Sequence, residues 1–170
     1  MKLFKKLLAV TLVAVLALTV FTACGDSGST SEIPSDLTEQ KYYQNLNDAA
    51  FQYNASAPLY YSESLSAYTR SKLNLYIQYD QDEIKEQEYK DGKNKLEDEC
   101  KAKLGYVVAE QDEVQCALIT TSTPKYEELY KMENAYNAAT KVAIARVYSD
   151  PVKGGNGKTY TMIECYKTVK

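Results

Sequence analysis

The chain has 170 residues with 20 basic and 23 acidic side chains, a net charge of −3 at pH 7, and neither histidine nor tryptophan. Without histidine it lacks the commonest general base and transition-metal ligand of proteins, and Cys-His catalysis within the chain is excluded. The acidic balance disfavours nucleic acid as a partner, because phosphate binding needs clustered lysine and arginine.

The N-terminal segment, residues 1–23, has the layout of a secretory signal. Lys2, Lys5 and Lys6 form a basic start, and residues 7–21 are an apolar run interrupted only by two threonines. The run is shorter than the roughly 18–20 residues that a permanent transmembrane helix needs. This pattern predicts export across the cytoplasmic membrane and removal of the segment.

The residues around the expected cleavage point are Thr22-Ala23-Cys24-Gly25. They resemble the lipobox of bacterial lipoproteins, in which the cysteine receives acyl chains such as palmitate and becomes the new N-terminus. The resemblance implies that Cys24 is lipidated and holds the protein at the extracytoplasmic face of the cell membrane. The alternative is an ordinary secreted protein with an incidental cysteine.

Residues 24–35 have the composition of a flexible tether, rich in glycine, serine and threonine. Once the signal is removed, 17 basic residues remain against 23 acidic ones, a net charge of −6. This charge disfavours electrostatic docking on anionic lipid, so the acyl chains are expected to provide the anchor. Residues 36–170 are enough for one globular domain with a single core.

The first part of this domain has helical patterns. Residues 37–54 carry apolar and tyrosine side chains at helical spacing, which predicts an amphipathic helix. Ser62 is suited to cap a second, short helix. Residues 73–79 alternate between apolar and polar and fit either a strand or a continuation of that helix. Residues 81–104 are polar with a sparse apolar stripe, and the glycine that follows suits a helix C-terminus.

From Tyr106 onward the patterns are mostly those of strands. Residues 106–108 and 114–121 are β-rich, and Thr123-Pro124 marks the start of a helix. Residues 142–148 and 159–169 predict two further strands joined by a glycine-rich hairpin loop. Helices come first and a small antiparallel sheet follows, so the predicted class is α+β.

Three stretches resemble the CAP (SCP-like) domain family. Residues 58–65 resemble its proline-leucine, aromatic and leucine signature, residues 105–129 its glycine, strand and Thr-Pro-Glu-Glu helix, and residues 140–168 its C-terminal hairpin. The resemblance implies an α-β-α sandwich with a cleft. The alternative is an unrelated helix-rich α+β domain.

The chain departs from that family at its cleft. In many CAP domains the cleft holds two histidines and acidic residues, sometimes with a divalent metal, and this chain has no histidine. Only Glu113 falls where the family has a cleft glutamate, and the alternative for it is a solvated turn residue. The resemblance therefore implies a degenerate cleft, with no metal site and no cofactor.

Tyrosine is the most unusual feature of the composition, with 16 tyrosines against three phenylalanines. Tyr60, Tyr61, Tyr76 and Tyr79 are the densest group and suit recognition of sugars or peptides, unless they simply fill the core and its edges. Beyond Cys24 there are three cysteines, Cys100, Cys116 and Cys165. Cys116 and Cys165 lie in predicted strands and are the pair to test for a disulfide. The alternative is that all three are small buried apolar residues.

These features predict a lipid-anchored extracytoplasmic domain that binds a glycan, peptide or protein of the cell envelope without transforming it. A cell-envelope hydrolase that uses carboxylates and a structural accessory subunit of a surface complex are the alternatives. Nothing in the spacing of the acidic residues selects a catalytic pair.

Replacing the predicted lipid-bearing residue tests the anchor. Cys24→Ala is expected to leave an uncleaved or released protein, because the thiol that would receive the lipid is gone. Detergent phase partitioning of the membrane fraction should then recover the wild-type chain but not the variant. Equal partitioning of the two would contradict the prediction.

Overall fold

The computed structural model describes residues 32–52, 58–111, 114–124 and 139–169. Within these ranges the chain forms three α-helices and a mixed five-stranded sheet, so the predicted α+β class is confirmed. A separate two-stranded hairpin accompanies the sheet. In chain order the elements are α1 (Leu37–Gln52), β1 (Tyr60–Tyr61), α2 (Glu63–Asp80), α3 (Glu86–Leu104), β2 (Tyr106–Val108), β3 (Glu110–Gln111), β4 (Val114–Gln115), β5 (Ala117–Thr120), β6 (Lys141–Tyr148) and β7 (Thr159–Thr168).

The long hairpin β6–β7 is the centre of the sheet, and both strands match their predicted positions. The strand order is β1-β6-β7-β2, with β5 also paired to β7. β1 runs parallel to β6, so the sheet is mixed and not purely antiparallel as expected. β2 and β5 occupy successive parts of the far edge of β7. Between them the chain leaves the sheet at Ala109, forms the hairpin β3–β4, and returns at Cys116.

Helices pack on both faces of this sheet because side chains alternate along β6 and β7. Val142 and Ile144 of β6 contribute to a core cluster with Tyr42 and Leu46 of α1. On the opposite face, Ala145 and Met162 pack against α2 in a second cluster with Leu73 and Ile77. The sheet is therefore a middle layer between α1 and α2.

The ambiguous segment 73–79 is helical and belongs to α2, which is longer than the short helix predicted. Ser62 caps α2 as expected, since its Oγ accepts a hydrogen bond from the Leu65 N–H at 3.4 Å. α2 lies between two neighbours, with Leu73 towards the sheet and Leu75 towards α3. A Cβ at Gly92 of α3 would lie only 3.0 Å from Leu75 Cδ1. A helix buried on two sides loses the narrow apolar stripe of a surface helix, which explains the misleading alternation.

α3 forms the outer layer beyond α2 and ends as predicted. Gly105 adopts φ 72°, a left-handed conformation that favours glycine at a helix C-terminus. Of the predicted apolar stripe on this helix only Cys100 is fully buried. The helix predicted to begin at Thr123 lies mostly outside the described residues.

The free edge of β6 is closed by side chains. β1 has only two residues, and beyond it the Ile144 N–H donates to Ser66 Oγ at 3.1 Å. Further along, the Arg146 N–H donates to the carboxylate of Glu39, which is almost fully buried. α2 and α1 thus supply acceptors in place of a missing strand, which satisfies buried donors and blocks edge-to-edge pairing.

Removing the Ser66 hydroxyl tests how much this hydrogen bond at the edge of β6 contributes to the free energy of unfolding. Ser66→Ala leaves the buried Ile144 N–H without an acceptor and is expected to lower the free energy of unfolding by about 1–3 kcal/mol. Ser71→Ala is the matched control, because the Ser71 hydroxyl only donates to the Ala67 carbonyl within the same helix. Urea denaturation measures both variants, and equal losses would refute the assigned role.

Candidate functional site

A buried ion pair connects α2 to the central strand β7. Lys72 Nζ lies 2.6 Å from Glu164 Oε1, and each side chain is only 3% exposed. The other carboxylate oxygen, Oε2, accepts hydrogen bonds from Thr69 Oγ1 at 2.7 Å and from the Tyr166 hydroxyl at 2.8 Å. The Lys72 ammonium also lies 5.3 Å from the centroid of the Tyr166 ring, within cation–π range. Both charges are therefore compensated inside the protein.

Two local periodicities bring these four side chains together. Thr69 and Lys72 are three residues apart on α2 and project from the same helix face. Glu164 and Tyr166 are two residues apart on β7 and point to the same face of the sheet. We call this group, Thr69, Lys72, Glu164 and Tyr166, the buried polar cluster.

The cluster fixes the protonation of its members. Burial by itself would raise the pKa of Glu164, but the Lys72 ammonium and the hydrogen bonds from Lys72, Thr69 and Tyr166 outweigh it and hold the pKa below the ordinary 4.5. Burial, reinforced by the adjacent carboxylate, raises the pKa of Tyr166 well above its usual value. At neutral pH the carboxyl group is therefore ionised and the phenol is protonated.

A pocket of about 300 Å³ opens beside the cluster, between α3 and the edge formed by β2 and the β3–β4 hairpin. We call it the α3 pocket. Lys72 and Tyr166 of the cluster reach it from one side. The other side chains that define its chemistry are Glu97 and Cys100 of α3, Tyr106 of β2 and Glu110 of β3.

Glu97 is the carboxylate in this pocket with unused hydrogen-bonding capacity. Its Oε1 lies 3.8 Å from Lys72 Nζ and 3.6 Å from Lys93 Nζ, so both ammonium groups hold it by charge at distances beyond a hydrogen bond. This buried oxygen has no hydrogen-bond donor among the described residues. The side chain is still 28% exposed. A buried polar group without a partner is uncommon in proteins and marks a position where a ligand or water donor is stabilised.

Cys100 is not a reactive group in this setting. Its thiol is buried, and burial raises the pKa of Cys100 to about 11 although the Lys72 charge acts in the opposite direction. The thiolate is the nucleophilic form of cysteine, so at neutral pH this side chain behaves as a small apolar wall of the pocket.

The predicted tyrosine group is divided between the two ends of β6. Tyr60 and Tyr61 pair with the first residues of that strand, and Tyr61 is buried and donates to Glu63. Tyr76 packs edge-on against Tyr160, which pairs with Val147 near the other end of the strand, about 16 Å away at the usual rise per residue.

Tyr79 stacks on Tyr89 of α3, with ring centroids 5.2 Å apart. The four predicted tyrosines therefore do not line one cleft. Two other predicted positions, Glu113 and Cys24, lie outside the described residues.

The three remaining cysteines are buried, and no disulfide joins any of them within the described ranges. Cys116 and Cys165 nevertheless lie side by side, because the Cys165 N–H donates to the Cys116 carbonyl at 2.9 Å and their thiols are hydrogen-bonded to each other. The arrangement agrees with three small apolar residues in the core.

Sequence reasoning missed the buried polar cluster, although one signal was present. Glu164 is the one charged residue in the apolar middle of β7, where seven consecutive residues are buried. A carboxylate at such a position needs a buried cation as its partner. The burial of Lys72, directly before Leu73 on α2, could not be predicted, because the apolar pattern of that segment fitted both a helix and a strand.

No family model, curated protein or solved structure matches the chain. In the part of the chain that the structure describes, no helix is long and apolar enough to cross a membrane. Within the same ranges no group of three or more acidic or cysteine side chains is arranged to hold a metal ion.

Removing the lysine of the ion pair should be strongly destabilising. Lys72→Met leaves the Glu164 carboxylate buried without a cation and is expected to lower the free energy of unfolding by about 3–5 kcal/mol. The double variant Lys72→Met/Glu164→Leu should recover part of this loss, since the Thr69 and Tyr166 hydroxyls lie 3.1 Å apart and are then free to hydrogen-bond to each other.

Lys90→Met is the matched control for this substitution, because Lys90 forms an exposed pair with Glu86. Its loss should stay within about 0.5 kcal/mol. Chemical denaturation compares the three variants with the wild type. If Lys72→Met is no more damaging than Lys90→Met, the ion pair does not have the structural importance assigned to it.

Proposed function

We propose that the chain is a lipid-anchored bacterial lipoprotein exposed on the extracytoplasmic face of the cell membrane. Residues 1–23 serve as the signal peptide, Cys24 carries the lipid, and the segment after Cys24 tethers one domain. The tether is shorter than the predicted 24–35, because Glu32 already forms a bridge with Tyr61 and accepts a hydrogen bond from the Glu63 N–H.

The first helix of the domain begins after Asp36. The Asp36 carboxylate caps α1 by accepting hydrogen bonds from the N–H groups of Thr38 and Glu39 at 2.9 and 3.0 Å.

For the fold, we propose a diverged relative of the CAP domains. The layering of α1, the sheet and α2 supports this relationship, as does the order of helix, β1 and helix around Ser62. The parallel pairing of β1 with β6 departs from the antiparallel sheet expected, and the chain lacks the histidines of a CAP metal-binding cleft. The alternative remains an unrelated α+β domain.

The function that the geometry supports best is the binding of a small ligand rich in hydrogen-bond donors, such as a glycan fragment of the cell envelope. The observation that carries this proposal is the Glu97 carboxylate, which lies in the α3 pocket with acceptor capacity that no donor in the described part of the chain uses. The Glu97 side chain is 28% exposed, so the hydroxyl groups of a sugar can approach its carboxylate. The pocket also presents the half-buried ring of Tyr106, which suits the apolar face of a sugar. A volume of about 300 Å³ is at the lower end for small-molecule sites.

The electrostatics of the pocket favour binding over chemistry. General acid–base catalysis works best with groups whose pKa is near the working pH. Here the pKa of Glu164 is displaced downward, while those of Cys100 and Tyr166 are displaced upward. Each of these groups is therefore fixed in one protonation state at neutral pH.

The proposal can be tested with the full lipidated chain in detergent micelles. We expect N-acetylglucosamine oligomers to bind saturably and to shift the NMR signals of α3 and β2. Glu97→Gln should weaken this binding by at least about tenfold, since a charged acceptor is replaced by a neutral amide. Asp98→Asn, on the exposed side of the same helix, should retain the wild-type affinity.

Several results would separate the proposal from its alternatives. Binding that survives Glu97→Gln unchanged would remove the α3 pocket as the site. Shifts produced by a short peptide and not by the sugars would replace the glycan with a peptide ligand. Release of shorter oligomers from the sugar chains would favour the hydrolase.

A further inference from the structure

Both arginines of the chain line one pocket. The sequence contains 18 lysines and only two arginines, Arg70 and Arg146. Arg70 is on α2, and Arg146 follows 76 positions later on β6. Both border an open pocket of about 370 Å³ at the N-terminus of α1. We call it the arginine pocket. It is distinct from the α3 pocket, which is bordered by α3 and β2.

The two guanidinium groups converge through one turn of α1. Arg146 Nη1 lies 3.3 Å from Asp36 Oδ1, and Arg70 Nη2 lies 3.7 Å from Glu39 Oε1. Asp36 and Glu39 are three residues apart, so they are neighbours on the helix surface. The Arg146 guanidinium also lies 5.9 Å from the centroid of the Tyr42 ring, which restricts its movement. The acidic residues therefore hold the arginines in position.

Much of the donor capacity of these arginines is unused. An arginine offers five N–H donors in a planar fork. Arg146 Nε is buried and has no acceptor among the described residues, and the Arg70–Glu39 distance of 3.7 Å is too long for a hydrogen bond. Ser35, Tyr148 and Thr159, which carry hydroxyl groups, border the same pocket.

We propose that the arginine pocket binds a monoanionic oxyanion, a carboxylate or a phosphodiester, held by the forks of Arg70 and Arg146. Planar guanidinium groups match the paired oxygens of carboxylates and phosphates in a way that lysine cannot. This explains why a chain that otherwise uses lysine for its positive charges has arginine at these two positions. The two acidic residues balance the two arginines in number, so one added negative charge is accommodated better than two.

The presence of only two arginines gives the test a direct readout. In a ¹⁵N-labelled full chain, only two arginine Nε–H signals exist, and titration with acetate or dimethyl phosphate should shift both of them saturably. Sodium chloride at the same ionic strength is the control for non-specific screening. Tighter binding of acetate identifies a small carboxylate as the ligand class. Tighter binding of dimethyl phosphate identifies a phosphodiester, such as that of a lipid headgroup.

Charge-conserving variants distinguish recognition by the arginine fork from simple attraction. Arg70→Lys keeps the charge at a half-exposed position and should weaken binding by at least about tenfold, and Arg146→Lys should do the same. Lys158→Gln, an exposed position in the β6–β7 loop, removes a charge nearby and should leave the affinity within about twofold.

The inference is overturned if the Nε–H signals move only as they do with chloride. Wild-type affinity in both lysine variants, each with an unchanged backbone spectrum, would also overturn it. These results do not depend on the sugar-binding experiment, because the two pockets share no residue.

Discussion

The contact between Lys72 and Glu164 determines how α2 packs on the sheet. A fully buried carboxylate in the middle of a five-stranded sheet is stable only with a cation and hydrogen-bond donors at fixed positions, and α2 supplies both from adjacent turns. That requirement sets the register and rotation of α2 on the sheet. α3 then packs on the outer side of α2, where Gly92 allows the close approach, and the third charge, Glu97, comes to the border of the cluster. The α3 pocket is thus a consequence of how one internal charge is neutralised.

Two pockets with opposite hydrogen-bonding character result from this packing. Within the described ranges, a carboxylate oxygen of the α3 pocket lacks a hydrogen-bond donor, whereas a guanidinium nitrogen of the arginine pocket lacks an acceptor. In both cases ion pairs with neighbouring side chains hold the group in place, and one of its atoms is left without a hydrogen-bond partner among the described residues. This preorganisation is what a binding site requires, since the cost of orienting the group has been met during folding. The displaced pKa values of Glu164, Cys100 and Tyr166 are consistent with the same function, because they suit constant charges better than proton transfer.

Local signals allowed much of the fold to be predicted from the sequence. The cap at Ser62, the stop at Gly105 and the alternation along β6 and β7 each act within a few residues, and the structure confirms them. Segment 73–79 was ambiguous because a helix buried on two sides has no polar face to reveal its period. The buried cluster was beyond prediction from spacing, since Lys72 and Glu164 are 92 positions apart and only the packing of α2 on β7 brings them together. The signal that was overlooked is a charged residue inside an apolar strand, which is informative without any knowledge of its partner.

A site-specific titration of the Glu164 carboxyl group by ¹³C NMR tests the central ion pair most directly. In the unfolded chain this group titrates near 4.5, and in the folded chain we predict a lower pKa because Lys72, Thr69 and Tyr166 stabilise the ionised form. A lowered pKa means that the unfolded chain takes up the proton first as the pH falls. The stability from the ion pair is then complete above 4.5 and is lost as the pH falls through the folded-state pKa. A measured pKa at or above 4.5 would show that burial outweighs the pairing, and the organising role of this contact would be contradicted.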